Sequence, residues 1–362
     1  MDFEIDFIGV NEEGKNALAT CFRFYSAKHQ RYIVGVYDGG FKVHGEELVR
    51  LLNKYYFGDN SSPYIDFVVC SHSDNDHASG LAEIFDNFSV EYLIVNRPWL
   101  YANELYEYIS DGRKTVNSLT QELKEKYKCI ALLEEKAIEQ GTQIHAGFQG
   151  LTIFDSIKVL SPSKQMFLDL IVESDKTPLI EDSASNNLLH KMFEAIKNTI
   201  TELWGKDSLR EDVKTTAENE TSIVLYGDME NNKSFLFTGD AGLIALSTAA
   251  DFADENCIDL HGVTFHQIPH HGGRHNVSSS VLNRIVGQIK SKNEKPSKTA
   301  FVSVAKGSDH PKKMVVNAYI RRGVRVYEAR NSSKCHYNGT QKRQGYSTAE
   351  QLPFANEVES WD

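Results

Sequence analysis

The sequence predicts a mixed α/β protein, two strand-rich halves around a helical middle, and three observations point that way. Phe3, Ile5 and Phe7 alternate with Asp2, Glu4 and Asp6, the period of two expected where one sheet face is buried. Short β-branched and aromatic runs recur in both halves and end in Asp, Gly or His. Between them, residues 118–140 form an amphipathic stretch rich in Glu, Lys and Leu that would cover a sheet.

After the opening strand, runs at 16–25 and 31–37 follow at hairpin spacing, the later one ending in Asp38-Gly39-Gly40. Residues 46–56 have helical periodicity and 64–70 are a short β-branched and aromatic run, so the order becomes β-β-β-α-β. Helices are expected at 79–88 and 100–110, then at 118–140, where Gly141 is the stop signal. A strand at 153–160 closes at Ser161-Pro162. From Ser163 to Asn219 the chain turns polar, with one helical segment near 187–204. This region is too poor in apolar residues for a core of its own and is expected to be an insertion or lid. Strands resume at 222–226 and 234–238, joined by a turn through Gly227 and Asp228, and recur at 262–268, 299–304 and 324–327. A helix is expected between 311 and 322. Residues 1–335 then make one unit carrying the 163–219 insertion, and 336–362 a polar, peripheral tail.

With 362 residues, 41% hydrophobic and 25% charged, the composition is that of a soluble globular protein, and the length fits two domains or one large sandwich. No apolar run approaches the ~20 residues that span a bilayer, which speaks against a membrane role. The first residues carry acids where a secretory signal carries Lys or Arg, so the expected location is cytoplasmic. The five cysteines are scattered without a C-x-x-C pair, which argues against a disulfide framework or a thiolate zinc knuckle. A net charge of −11 argues against broad electrostatic capture of nucleic acid, though not against a nuclease whose positive charge is supplied by bound metal.

Three segments carry chemistry. Ser71-His72-Ser73-Asp74-Asn75-Asp76-His77 follows directly on the 64–70 strand, and residues 72, 74 and 76 of an extended chain converge on one side, with His77 beside them. Acids and imidazoles packed this closely leave buried charge unless a cation sits among them. Leu236-Phe-Thr238-Gly239-Asp240 ends an apolar strand in an acid, and Phe265-His266-Gln-Ile-Pro269-His270-His271-Gly272-Gly273 ends another in a His pair. Each segment alone has an ordinary explanation: a solvated Asp-rich turn, a β-turn aspartate, a turn histidine. A metal centre explains all three together.

In that order, H-x-[HD]-x-D-H, T-G-D and H-H-G resemble the metallo-β-lactamase fold superfamily. Further matches resemble the hydrolase domain of ComEC-type DNA-uptake proteins and their free-standing relatives: Asp38-Gly39-Gly40, Asp74 in place of a second histidine, Leu160-Ser161-Pro162, Asn219 to Leu225, and Ser303-Val304 followed by His310-Pro311. The resemblance implies a four-layer αββα sandwich with a metal site among the loop ends. It implies that His72 and Asp74 hold one ion, Asp76 and His77 the other, with Asp240 bridging. His271, or His270 in its stead, completes the second, and Asp38 orients a ligand. A further histidine usual in the superfamily is replaced here by Ser161-Pro162-Ser163, so one or two ions are expected. His145 and His190 lie between the motifs but follow no clear strand end, and are expected to be surface or structural. Imidazole with carboxylate suits Zn²⁺, and Asp74 makes Mn²⁺ competitive.

By the same resemblance the substrate is a phosphodiester, DNA or RNA among the candidates, attacked by a water that the ions activate. Asp76 would accept a hydrogen bond from that water, while His310 would stabilise the oxyanion or protonate the leaving group. Arg274, Lys306, Lys312, Lys313, Arg321 and Arg322 could form a local basic rim or a solvated helix face. Two alternatives stand beside this reading. One is a small-substrate hydrolase acting on a cyclic-nucleotide or phosphocholine diester, a lactone or a thioester, with residues 163–219 as its lid. The other is a metal-stabilised module that binds a protein partner through that insertion.

Overall fold

The alternating residues of the first half build six strands of a seven-stranded sheet. Strands β1 (Phe3–Phe7), β2 (Ala19–Ser26) and β3 (Arg31–Gly39) run antiparallel, and β4 (Tyr64–Val69), β5 (Ser89–Ile94) and β6 (Gln143–His145) join parallel to β3. The computed structural model describes residues 2–11, 13–58, 62–108, 115–177, 199–340 and 342–361. The second half repeats the plan. β7 (Thr152–Ile153), β8 (Ile157–Ser161), β10 (Val224–Asp228) and β11 (Ser234–Phe237) are antiparallel, and β12 (Phe265–Gln267), β13 (Lys298–Ser303) and β14 (Val324–Ala329) extend β11 in parallel.

The sheets pack face to face on an aromatic layer. The Phe22 ring lies 5.6 Å from Phe67 on its own sheet, and 4.9 Å and 5.3 Å from Phe235 and Phe237 on the other. Such edge-on pairs add to the burial of large apolar rings. The outer face of the first sheet, through Val36, Val68 and Leu93, is covered by Leu48, Leu81, Leu119, Leu133 and Phe167 from five helices. The outer face of the second, through Ala300, Val302 and Val324, is covered by Leu246, Leu282 and Val315 from three more. The result is the αββα sandwich. No helix among the described residues is long and apolar enough to cross a membrane.

Several elements differ from expectation, each for a local reason. The 118–140 helix is two, Val116–Lys126 and Lys128–Gln140, broken at Tyr127, whose φ of −102° and ψ of 42° leave the helical region. The buried Tyr127 hydroxyl lies 3.2 Å from both Ser174 Oγ and Thr177 Oγ1. The 46–56 helix starts earlier, as Lys42–Leu51, and continues as a π-helical turn Leu52–Phe57. In the 163–219 region, Lys164–Glu173 is helical and sends Phe167 and Ile171 into the first outer layer. The helical segment expected near 187–204 lies largely outside the described residues, as does His190. Its end, β9 (Thr199–Thr201), is a strand, because β16 (Glu357–Glu359) pairs with it. Residues 336–338, expected to begin the peripheral tail, belong to β15 (Lys334–Asn338), the edge strand beside β1. Further on, Val358 is fully buried.

Two members of the expected basic rim are not on the surface. Arg321 and Arg322 are fully buried, Arg321 against Glu202 at 2.7 Å and Asp207 at 3.2 Å, and Arg322 against Asp207 at 2.8 Å. The apolar face of the helix Lys313–Arg321 turns its last residues inward, where the 199–212 segment supplies the acids.

Candidate metal centre

The centre forms where loops at the strand ends of the two sheets meet. β4 ends at Val69, and the chain passes through Ser71 and His72 before Asp74 starts the short helix Asn75–Ala78. That helix is held tightly below: a Cβ on Gly80 would lie 2.0 Å from the Gly39 carbonyl oxygen, and one on Gly45 would lie 2.2 Å from that of Gly80. Only residues without a side chain allow this approach. From the second sheet, β11 delivers Asp240 through a turn clamped by Gln267. The Gln267 Oε1 accepts from the Thr238 and Gly239 amides at 2.8 Å and 2.9 Å, and its Nε2 donates to the Gly239 carbonyl at 2.8 Å. After β12, His271 adopts a left-handed backbone, φ 54° and ψ 22°, a sparsely populated state for a residue with a side chain.

Three imidazoles point their Nε2 atoms into the same space. His72 Nδ1 donates to Ser71 Oγ at 2.9 Å, His77 Nδ1 to Asp38 Oδ2 at 2.8 Å, and His271 Nδ1 to the Ser303 carbonyl at 2.8 Å. Each ring therefore carries its proton on Nδ1 and leaves an Nε2 lone pair free. Asp38 is the hub of this support, since its Oδ1 also accepts from the Ser71 amide at 2.7 Å and its Oδ2 from the Ser71 hydroxyl at 2.6 Å. His77 Nε2 stands 3.2 Å from Asp240 Oδ1 and 3.9 Å from Asp76 Oδ2, and His271 Nε2 stands 3.6 Å from Asp76 Oδ2 and 3.9 Å from Asp240 Oδ2.

Two donor sets result, His72 with His77 and Asp240, and Asp76 with His77 and His271, each with its ligand atoms within 4.8 Å of one another. The residues fit a divalent cation on an independent ground. His72 Nε2, His77 Nε2, His271 Nε2 and Asp240 Oδ1 are all buried without a hydrogen-bond partner, a costly arrangement unless a cation accepts their lone pairs. The electrostatics agree. Burial would lower His77, yet the Asp240, Asp38 and Asp76 carboxylates push it well above the ordinary histidine value, so these acids favour a positive charge at this point, a proton on Nε2 or a cation in its place. Burial would raise Asp240, and the His77, His270 and His271 rings hold it well below the carboxylate range.

The other expected residues are placed as follows. Asp74 lies outside both sets, its Oδ2 3.6 Å from His72 Nε2 and its Oδ1 paired with Lys176. His270 turns aside: its Nδ1 is 2.9 Å from Asn219 Nδ2 and 3.9 Å from Asp240 Oδ2. His310 sits beyond the His270-His271 turn with Nδ1 3.0 Å from Asp309, and burial with Lys312 nearby lowers it to about 4. His145 ends β6, where its ring packs 5.5 Å from Tyr92. Ser71, Ser222, Gln267 and Lys176 enter the site without having been singled out. Ser71 and Ser222 were visible as neighbours of motif residues, whereas Lys176 comes from the polar insertion and carries no sequence signal.

The second donor set opens, through Asp76 and His271, into a cleft of about 710 Å³ whose lining also includes Asp74 and four lysines, Lys15, Lys126, Lys128 and Lys176. His310 is not among the lining residues. A second cavity of about 700 Å³, by β14 and β15, contains none of the expected ligands.

No protein-family model matches the sequence, and none of the curated proteins is detectably similar to it. Solved structures do show likeness. One is a Thermotoga maritima protein provisionally described as a metallo-β-lactamase, 14% identical over 71% of this chain and 92% of that one, with a TM-score of 0.33. Another is a mutant of the CmlA β-hydroxylase, 11% identical over 92% of this chain and 53% of that one, with a TM-score of 0.40. A third is an archaeal metallo-β-lactamase superfamily protein from Sulfolobus tokodaii, 12% identical over 80% of this chain and 87% of that one, with a TM-score of 0.27.

Proposed function

We propose that this chain is a metal-dependent hydrolase of phosphodiesters, using Zn²⁺ or Mn²⁺, with single-stranded DNA or RNA as the substrates to try first. One observation carries the reading: unpartnered buried donors of three imidazoles and a carboxylate stand together, and the donor set that includes Asp76 and His271 borders a cleft lined by four lysines. The overall charge is −11, so the lysines make this cleft a local exception suited to an anionic substrate. A divalent ion bound there supplies a Lewis acid and makes water a competent nucleophile near neutral pH.

The chain's own groups do the rest. Asp38 and Ser71 fix the His77 and His72 tautomers, so the donor atoms need no rearrangement to take up a cation. Asp76, with its carboxylate partly exposed at the cleft, stands where it can accept a proton from an attacking water. Lys15, Lys126 and Lys128 hold the negative substrate along the wall.

The test is metal analysis of the purified protein with parallel assays on bis(p-nitrophenyl) phosphate and p-nitrophenyl acetate in Mn²⁺ and in Zn²⁺. Turnover of the diester and not of the acetate is the expected result, with Asp76→Ala losing at least about a hundredfold in kcat/KM. Equal activity of Asp76→Ala and wild type, or acyl hydrolysis alone, would sink the reading.

A further inference from the structure

Lys176 contributes an ammonium group to the cleft from the 163–219 insertion, and its surroundings hold it there. It pairs with Asp74 Oδ1 and donates to Ser73 Oγ at 3.1 Å. Its charged end lies 5.9 Å from the Tyr127 ring centroid, and the Tyr127 hydroxyl reaches Ser174 and Thr177 on either side of it in the chain. The Lys176 amide donates to Ser174 Oγ at 3.1 Å. Two of the three ammonium donors are thus engaged, and among the described residues no third acceptor takes the last.

Asp74 is the other half of the pair. It belongs to neither donor set: its Oδ1 is paired with Lys176, and its Oδ2 lies 3.6 Å from His72 Nε2, beyond hydrogen-bond distance. Its backbone carbonyl is engaged as well, accepting from His77 and Ala78 at 3.0 Å and 2.9 Å. With Oδ1 paired to an ammonium that lies in the substrate cleft, Asp74 could reach an ion only through Oδ2, and that oxygen belongs to no three-donor set among the described residues. The alternative is an ordinary exposed salt bridge with no part in binding.

We propose that Asp74 anchors Lys176 instead of ligating an ion, and that Lys176 presents its remaining N–H to a non-bridging oxygen of the phosphodiester. The second clause rests on the function proposed above, and the first does not. Lys176 is then a specificity-determining residue, and the position where a second histidine is expected serves substrate recognition.

The experiment has two arms. In the first, bound ion per chain and Mn²⁺ affinity are measured by mass spectrometry and chelator competition for wild type, Asp74→Asn and Asp240→Asn. Asp74→Asn should keep the wild-type stoichiometry with affinity within about threefold, while Asp240→Asn should lose ion. Loss of an ion equivalent in Asp74→Asn overturns the anchor role. In the second arm, Lys176→Met should raise KM for bis(p-nitrophenyl) phosphate, and the inhibition constant for inorganic phosphate, by about tenfold, with kcat within about twofold and ion content unchanged. Lys176→Arg should recover most of both. Unchanged KM and unchanged phosphate inhibition in Lys176→Met overturn the recognition role. Should wild type hydrolyse no diester at all, the functional reading fails on its own. The ion measurements, with calorimetric titration of phosphate, still decide what Asp74 and Lys176 do.

Discussion

His77 is held at both ring nitrogens. One ring nitrogen is held by Asp38 and the other faces Asp240 and Asp76, so the ring can neither flip nor shed its surroundings. His266 contrasts with it. It is 1% exposed, its Nε2 has no partner, and burial together with Lys298 lowers it to about 3. Burial lowers His336 also, to about 4. In the unfolded chain both take up a proton near pH 6.5 and in the folded protein they do not. Stability is therefore unaffected above that pH and falls as pH drops from about 6.5 toward the folded values, by up to about 1.4 kcal/mol per pH unit for each histidine. Urea midpoints between pH 7.5 and 5 should show this decline, and His266→Phe should reduce its slope by one histidine's share while His336 keeps the rest; an unchanged slope in the variant would contradict the assignment. The residues of the centre divide by how their partners are spaced. His72, Asp76 and His77 could be read because they stand together after a strand, and Asp240 and His271 because each follows another. Lys176 could not, since its partner Asp74 is 102 positions away and nothing local marks it.

At the scale of elements, the glycine contact under the Asn75–Ala78 helix sets the height of the His72–His77 turn. Gly80→Ala would place a methyl group within 2.0 Å of the Gly39 carbonyl, with backbone on both sides and nothing flexible to yield. Overpacking of this kind costs about 1–3 kcal/mol. Denaturant unfolding should show that loss, accompanied by weaker Mn²⁺ binding, while Gly58→Ala, which meets no atom within 4 Å but has φ of 56°, should leave ion affinity unchanged. Strands with alternating or β-branched patterns were legible to within a few residues, as β3, β4, β11 and β13 illustrate. The helix break at Tyr127 was not, because a tyrosine carries no breaking signal and the cause is its buried hydrogen bonds to the insertion. β9 was missed for the same kind of reason: its partner strand is β16, near the far end of the chain.

Across the whole molecule, Arg321 and Arg322 join the 199–212 segment to the outer helix Lys313–Arg321. Arg321 donates to Glu202, Asp207 and the Trp204 and Leu203 carbonyls, and Asn317 adds a bond to Glu202 at 2.6 Å. Removing one partner of such a network leaves charge buried without compensation, at a cost of about 3–5 kcal/mol. Arg321→Met should lower stability by that order in urea unfolding, and a loss below about 1 kcal/mol would mean that solvent reaches the acids. These two arginines read as surface charge in sequence because burial depends on acids more than a hundred positions earlier. The two strand-rich halves were legible in the residue pattern, and the sandwich they form was legible only as what the motif resemblance implied.

Donors arrive from both sheets, His72, Asp76 and His77 from the earlier and Asp240 and His271 from the later. A ribosome that has released only strands β1 to β6 has made no complete nest for a cation. Ion capture must therefore wait until the chain beyond residue 271 has emerged and the sheets have closed. Any metal the centre takes up is then decided by what the surrounding fluid offers a finished fold.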